Sequence, residues 1–138
     1  GYKAALADAN LDFDPQLVFE GDFGFSSGRD GTDYMLSLNA PPSAIIAASD
    51  VTAFGVIEAV RDRGLEVPKD ISIVGFDDIP EAAYRRPALT TVRQSLRDMG
   101  RLAAGMLIDH LEGSTDSLTR IELPTSLQIR DTTASPRP

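Results

Sequence analysis

Residues 71–78 have the sequence ISIVGFDD, in which a short run of mostly β-branched residues ends in two aspartates. Pro68 precedes this run and Pro80 follows it, so residues that interrupt regular structure bound it on both sides. Short apolar runs of this kind are typical of strands that are buried on both faces of a parallel sheet. We therefore predict a central strand at residues 71–76, with Asp77 and Asp78 at its carboxyl end.

A second run has the same form. Residues 43–50, with the sequence SAIIAASD, also pass from apolar side chains to a polar end. In open parallel sheets, ligands bind in the crevice beyond the carboxyl ends of the strands. Two such ends side by side form a binding edge, so the sequence predicts a ligand site there.

Outward from these two strands, the apolar spacing alternates between helical and extended periods. This order is typical of an α/β fold, with a parallel sheet flanked by helices and joined by right-handed crossovers. Residues 79–89 are predicted as a loop with one helical turn, and residues 132–138 as a frayed tail. The predicted helices are residues 1–10, 26–38, 50–63 and 96–111, and the predicted strands are residues 17–21, 43–47, 71–76, 90–94, 120–124 and 126–130.

The helix predicted at residues 50–63 has clear end signals. Asp50 is predicted as its N-cap, because an aspartate side chain can accept hydrogen bonds from the free N–H groups of the first turn. Gly64 follows as the residue that ends the helix, and Pro68 prevents its continuation.

Composition restricts the classes of function. The chain has 138 residues, 42% of them apolar, which is enough for one ordinary domain with a core. Its formal net charge of −8 argues against binding of a nucleic-acid backbone by this chain itself. No cysteine is present, and no apolar run approaches the length of a membrane span.

Catalytic chemistry is not predicted. The sequence offers no set of nucleophile, base and orienting residue, and its early glycines are not followed by the lysine of a phosphate-binding loop. His110, the single histidine, is expected to face solvent near the end of a helix. We therefore predict no enzyme activity, no catalytic residues, no metal ligands and no cofactor.

For several residues the pattern alone leaves alternatives open. Asp77 fits a loop carboxylate as well as a ligand group, and Phe23 fits a core residue. Ser49 could simply close a strand. Asp78 could cap the turn before Pro80 or contact a neighbouring subunit.

Three motifs follow one another in the middle of the chain. Residues 49–55, SDVTAFG, are followed by residues 64–78, GLEVPKDISIVGFDD, and then by residues 87–94, PALTTVRQ. In order and spacing these resemble the LacI/GalR (lactose and galactose repressor) family. The resemblance implies a periplasmic-binding-protein-like domain that binds a small effector between two lobes, of which this chain matches the carboxyl-terminal half.

The resemblance also implies which residues contact the effector. It places Asp77 where the family aspartate accepts hydrogen bonds from sugar hydroxyls, and Phe23 where an aromatic ring lies against the sugar face. Ser49 stands where many members have asparagine, and Gln94 matches a polar residue near the crossover between lobes. The family's ligand-binding arginine would lie just before Gly1.

A homodimer is a further implication of the resemblance. It places Phe54, Tyr84 and Arg85 on the surface through which such regulators pair. The helix at residues 50–63 has apolar residues on more than one side, which is more than one sheet face covers. We therefore expect a two-fold dimer across this helix and the loop at residues 82–87.

The implied division of the chain assigns residues 1–92 to the carboxyl-terminal lobe. Residues 93–117 are the crossover and a helix of the incomplete amino-terminal lobe, and residues 118–138 are terminal strands and tail. The expected protein is a cytoplasmic bacterial transcriptional regulator, without membrane attachment, that senses a carbohydrate effector. It would contact DNA only through an amino-terminal helix-turn-helix domain that this chain does not contain. The alternative is a periplasmic sugar-binding protein of an ABC-type transporter with the same fold.

Overall fold

The computed structural model describes residues 1–113 and 120–135. A single 3₁₀ turn, Pro15–Leu17, lies between the first two α-helices. The helices are α1 (Tyr2–Asp8), α2 (Phe25–Leu36), α3 (Asp50–Asp62), α4 (Pro80–Tyr84) and α5 (Leu96–Leu111), and the strands are β1 (Ala44–Ile46), β2 (Ser72–Asp77), β3 (Thr90–Arg93) and β4 (Ser126–Gln128).

The four strands form one sheet in the order β1-β2-β3-β4. Strands β1, β2 and β3 are parallel, with Ile45 opposite Ile73 and Gly75 opposite Thr91, whereas β4 is antiparallel to β3. The predicted α/β class with a mostly parallel sheet is confirmed. Because the three parallel strands run the same way, their carboxyl ends lie together at one edge of the sheet.

The core lies between the sheet and helix α3, which contacts both β2 and α2. Two-sided packing explains why α3 is apolar on more than one side, so this pattern by itself does not require a partner subunit. The loop after β2 contains the short helix α4, which confirms the single helical turn predicted there. The buried apolar residues of the core are Ile45, Ala47, Ala53, Phe54, Val56, Ile57, Val60, Ile71, Ile73, Ala82 and Leu89.

Helices α2 and α3 cross at two glycines. A Cβ atom at Gly28 would overlap the carbonyl oxygen of Thr52, and one at Gly55 would overlap that of Phe25. The two backbones are therefore in direct contact, which only residues without a side chain permit.

The start of α3 differs from the prediction. Ser49 is the N-cap, since its hydroxyl accepts a hydrogen bond from the Thr52 amide at 3.1 Å. Asp50 is the first helical residue, and its carboxylate is engaged elsewhere, so the prediction of Asp50 as the cap is wrong. The end of the helix agrees with the prediction, because Gly64 has a positive φ of 73° just after the last turn.

Two of the predicted strands do not form. Residues 18–23 have no regular structure, and within the described part of the chain no strand lies beyond the free edge of β1 to pair with them. Residues 120–125 are also irregular, and only Ser126–Gln128 of the following segment pairs with the sheet. Alternation of side chains predicts an extended segment, but a strand also needs a partner for its backbone hydrogen bonds.

The tail prediction is wrong for residues 132–135. Thr132 is completely buried, donating its hydroxyl hydrogen to the Ile73 carbonyl at 2.7 Å and accepting one from the Thr90 amide at 2.8 Å. This segment is therefore anchored to strands β2 and β3 by hydrogen bonds, although it forms no strand of its own. Residues 136–138 and the predicted division at 117/118 lie outside the described residues.

Candidate functional site

The carboxyl edge of the parallel sheet carries three of the predicted site residues. Asp77 is the last residue of β2, Ser49 follows β1 closely, and Gln94 follows β3 directly. Asp77 and Asp78 have positive φ angles of 121° and 58°. Such angles are unusual for residues other than glycine, and they turn the chain sharply away from the strand.

Asp77 and Gln94 form one contact pair at this edge. The side-chain amide of Gln94 donates to Asp77 Oδ1 at 2.7 Å, and both residues are half-buried. Among the described residues, the second carboxylate oxygen of Asp77 has no hydrogen-bond partner. An ionised carboxylate is an acceptor only, so this oxygen can accept hydrogen bonds from a ligand.

Phe23 and Ser49 form the second pair. Phe23 is 64% exposed, which makes it an open aromatic residue rather than a core residue. The hydroxyl of Ser49 donates to the Phe23 carbonyl at 3.0 Å. Since Ser49 has one hydroxyl hydrogen, its contact with the Thr52 hydroxyl at 2.9 Å must be one in which Thr52 donates. The Ser49 oxygen is thus occupied by groups of the chain itself.

Asp78 faces a different set of partners from Asp77. It accepts from Arg93 Nε at 2.5 Å and from Arg130 at 2.6 Å, and its side chain is only 5% exposed. Burial alone would raise the pKa of Asp78, but the hydrogen bonds and charges of the two arginines outweigh it and lower that pKa below its usual value. Asp78 is an ion-pairing residue, and neither turn capping nor a subunit contact is needed to explain it.

Asp50 is buried completely behind the same edge. Its two oxygens accept hydrogen bonds from the Ile79 amide at 2.9 Å and from the Thr91 hydroxyl at 2.5 Å. Burial raises the pKa of Asp50, and these two hydrogen bonds offset part of that increase. The sequence gives no sign of these contacts, since Ile79 and Thr91 are 29 and 41 residues away.

Two open clefts flank the sheet, and neither contains Asp77. A cleft of about 390 Å³ lies beside β1 and α2, and Phe23 stands at its border. A second cleft of about 470 Å³ lies against the apolar face of α5 and includes Gln94. Of the predicted site residues, Phe23 lines the first cleft and Gln94 lines the second.

The residues predicted for a dimer surface have different environments. Tyr84 is 80% exposed, whereas Phe54 is 4% exposed and lies under the guanidinium of Arg85, whose carbon is 4.1 Å from the ring centre. Phe54 therefore lies beneath Arg85, and Tyr84 and Arg85 form the accessible part of this surface. The role of these three residues in an interface stays a prediction.

Within the part of the chain that the structure describes, no three side chains of histidine, cysteine or acid are grouped so that they could hold a metal ion. His110 is exposed, as predicted. No helix among these residues is long and apolar enough to cross a membrane.

The sequence and the fold of the chain are similar to those of known proteins. Residues 1–133 match the model of a family described as a periplasmic binding protein-like domain. The catabolite control protein A of Priestia megaterium is 35% identical over 133 residues, which are 96% of this chain and 40% of that protein. The chain thus spans less than half the length of this relative.

Solved structures of known proteins are also similar to this chain. A putative transcriptional regulator LacI from Bacillus cereus subsp. cytotoxis NVH 391-98 superposes with a TM-score of 0.94 at 31% identity, over 97% of this chain and 48% of that one. A transcriptional regulator CelR–cellobiose complex superposes with a TM-score of 0.91 at 34% identity, over 95% of this chain and 40% of that one. The similarity extends over nearly the whole chain.

Proposed function

Because the chain belongs to the periplasmic binding protein-like domain family of LacI-type transcriptional regulators, we propose that it forms one wall of the effector site of such a regulator. The observation that carries this proposal is the pair formed by Asp77 and Gln94 at the strand ends. It presents a free carboxylate oxygen at the edge where ligands bind to open parallel sheets.

A carbohydrate is the effector class that these groups fit best. A carboxylate accepts hydrogen bonds from two adjacent hydroxyls in one plane, and an exposed aromatic ring covers the C–H face of a sugar. Asp77 supplies the first group and Phe23 the second, with Gln94 as a further polar contact. One structural neighbour is described as a complex with cellobiose, which supports the same class of ligand.

We assign residues 1–92 to the carboxyl-terminal lobe and helix α5, which follows the crossover, to the amino-terminal lobe. None of the residues of α5 is buried. Its exposed side chains include the large apolar residues Met99, Leu107 and Leu111. Apolar side chains left in water cost free energy, about 1.5–3 kcal/mol for each large one. The cleft along α5 is therefore a surface that further protein would cover.

The regulator is favoured over a periplasmic sugar-binding protein of a transporter. The relative and the two structural neighbours described above are, by name, a control protein and transcriptional regulators. The net charge of −8 agrees with DNA contact through another domain, since a phosphate-binding surface needs clustered cations. Such a regulator would act in the cytoplasm, where its DNA is, and none of these assignments requires catalysis.

The replacement of Asp77 by alanine tests the site. In the complete regulator, we expect Asp77→Ala to weaken sugar binding by roughly 1.5–3 kcal/mol, the value of hydrogen bonds to a charged group. This corresponds to about 10- to 150-fold in Kd. Titration calorimetry with a panel that includes cellobiose, glucose and ribose measures the change.

The matched control is Asp12→Ala, which removes an exposed carboxylate outside the site. It should leave the Kd unchanged, and both variants should retain the wild-type circular dichroism spectrum. If Asp77→Ala binds the sugar as tightly as the wild type, the strand end is not the effector site.

We also propose a two-fold dimer through the surface formed by Tyr84 and Arg85. In the complete regulator, Tyr84→Asp should raise the dimer dissociation constant by about 30-fold or more, the effect typical of a central aromatic contact. Sedimentation velocity over a range of concentrations measures this, with Tyr84→Phe as the control that keeps the ring. An unchanged constant for Tyr84→Asp would place the interface elsewhere.

A further inference from the structure

The backbone at the proposed site is strained at three positions. Among the described residues other than glycine, positive φ angles occur at Asn10, Phe23, Asp77 and Asp78. The last three belong to the two turns that carry the proposed ligand contacts. Such angles cost free energy and persist only where surrounding groups hold them, which raises the question of what holds these turns.

The first turn is held by Ser49. Its hydroxyl donates to the carbonyl of Phe23 at 3.0 Å, the residue whose φ is 64°. The same hydroxyl accepts from the amide and hydroxyl of Thr52, and Ser49 is 8% exposed. Phe23 is thereby tied to the first turn of α3, and its ring remains in solvent.

The second turn is held by Asp50. Its carboxylate accepts from the amide of Ile79, the residue that follows the strained pair Asp77 and Asp78. The other oxygen is fixed by Thr91 of β3. Gly75 leaves the space for this carboxylate, because a Cβ atom there would overlap Asp50 Oδ1 and lie 2.8 Å from a methyl group of Leu89.

We propose that Ser49 and Asp50, the two adjacent residues at the start of α3, are positioning residues that hold Phe23 and Asp77 in their binding conformations. This inference rests on the proposed function and deepens it. Ser49 then acts through Phe23 and not as a ligand contact, because its hydroxyl has no hydrogen left to donate. One helix start thus aligns the aromatic and the carboxylate parts of the site.

The first test measures the turns without any ligand. In the complete regulator, hydrogen–deuterium exchange of the Ile79 amide should increase about tenfold or more in Asp50→Ala, because the amide loses its charged acceptor. Asp50→Asn retains an acceptor oxygen and should restore most of the protection. Asp70→Asn is the matched control, since Asp70 also accepts a backbone hydrogen bond, from Glu66 before β2 begins.

The second test separates positioning from helix capping. Ser49→Asp keeps an acceptor for the Thr52 amide but cannot donate to the Phe23 carbonyl, whereas Ser49→Thr keeps both functions. We expect Ser49→Asp alone to increase exchange at residues 22–25 about tenfold. This variant keeps the inference testable even if Asp50→Ala does not fold.

The third test links the turns to binding, with cellobiose and the other sugars of the panel as probes. Asp50→Ala should weaken binding about tenfold in the wild-type background and have no effect in the Asp77→Ala background. Ser49→Asp should likewise weaken binding about tenfold in the wild-type background and have no effect in the Phe23→Ala background. A residue with only a general structural role would weaken binding equally in both backgrounds.

The outcomes distinguish the two hypotheses. Equal effects in both backgrounds, an unchanged Kd, or an exchange increase spread evenly over the sheet would each overturn the positioning role while the proposed function stands. If the wild-type regulator binds no sugar of the panel, the proposed carbohydrate site is rejected. The exchange data then still decide whether Ser49 and Asp50 hold the two turns.

Discussion

Replacement of Gly55 by alanine is expected to destabilise the fold by about 3 kcal/mol, because overpacking at a well-packed contact costs 1–3 kcal/mol and occasionally more. The new Cβ would overlap the carbonyl oxygen of Phe25 and lie 3.0 Å from its carbonyl carbon. That neighbour is backbone and cannot rotate away, so helices α2 and α3 would have to separate. The interface they form is among the most extensive in the chain.

Helix propensity acts in the opposite direction to the destabilising overlap at Gly55. Alanine is favoured over glycine inside a helix by about 1 kcal/mol, so the expected loss at Gly55 is a net value. Gly100 lies inside α5 with no atom near its missing side chain. Gly100→Ala should therefore stabilise or have no effect. Urea denaturation of both variants measures the difference, and equal stabilities would show that the helix crossing has room to adjust.

The sequence predicted the parallel sheet and its helices because their signals are local. Apolar spacing, Gly64 and the proline before β2 report on neighbouring residues, and these elements appear as expected. The two strand errors have a different cause, since pairing depends on a partner that the local pattern does not specify. Residues 18–23 show this, because they lack a neighbouring strand within the described part of the chain.

The site was predictable in part for the same reason. Asp77 lies at the end of a predicted strand, and the rule that ligands bind beyond the carboxyl edge of a parallel sheet marks it as a candidate. Gln94 was proposed only from the family resemblance. The roles of Ser49 and Asp50 were not predictable, because each depends on a residue 26 or more positions away. A helix start rich in serine and aspartate predicts a cap, and it does not tell which of two neighbouring residues will provide it.

The ion pair between Asp78 and Arg130 shows most clearly what the sequence alone could not predict. Two adjacent aspartates suggest a shared chemical role. Here the backbone turns at both residues, which have positive φ angles, and the two carboxylates face different partners. Asp78 is paired with Arg130, 52 residues further along the chain. Only the return of the carboxyl-terminal segment to the sheet brings these charges together, and the predicted frayed tail left that return out.

The second large effect on stability is expected at Thr132, in the carboxyl-terminal segment that returns to the sheet. Replacement by valine keeps the shape of this buried side chain and removes its hydroxyl, leaving the Thr90 amide without its partner and the Ile73 carbonyl with one hydrogen bond fewer. A buried group without a partner costs about 1–3 kcal/mol, so we expect Thr132→Val to lose about 3 kcal/mol in free energy of unfolding.

Thr132→Ser is the matched control, because it retains both hydrogen bonds and removes only a methyl group. It should cost about 1 kcal/mol, close to the value of one buried methylene. The difference of about 2 kcal/mol between the two variants then isolates the hydroxyl. Chemical denaturation with the same baseline treatment gives both values. If the Thr132→Val variant is as stable as the Thr132→Ser variant, the hydroxyl does not link β2 to β3. The carboxyl-terminal segment is then held mainly by the backbone hydrogen bond from the Ile73 amide to the Thr132 carbonyl.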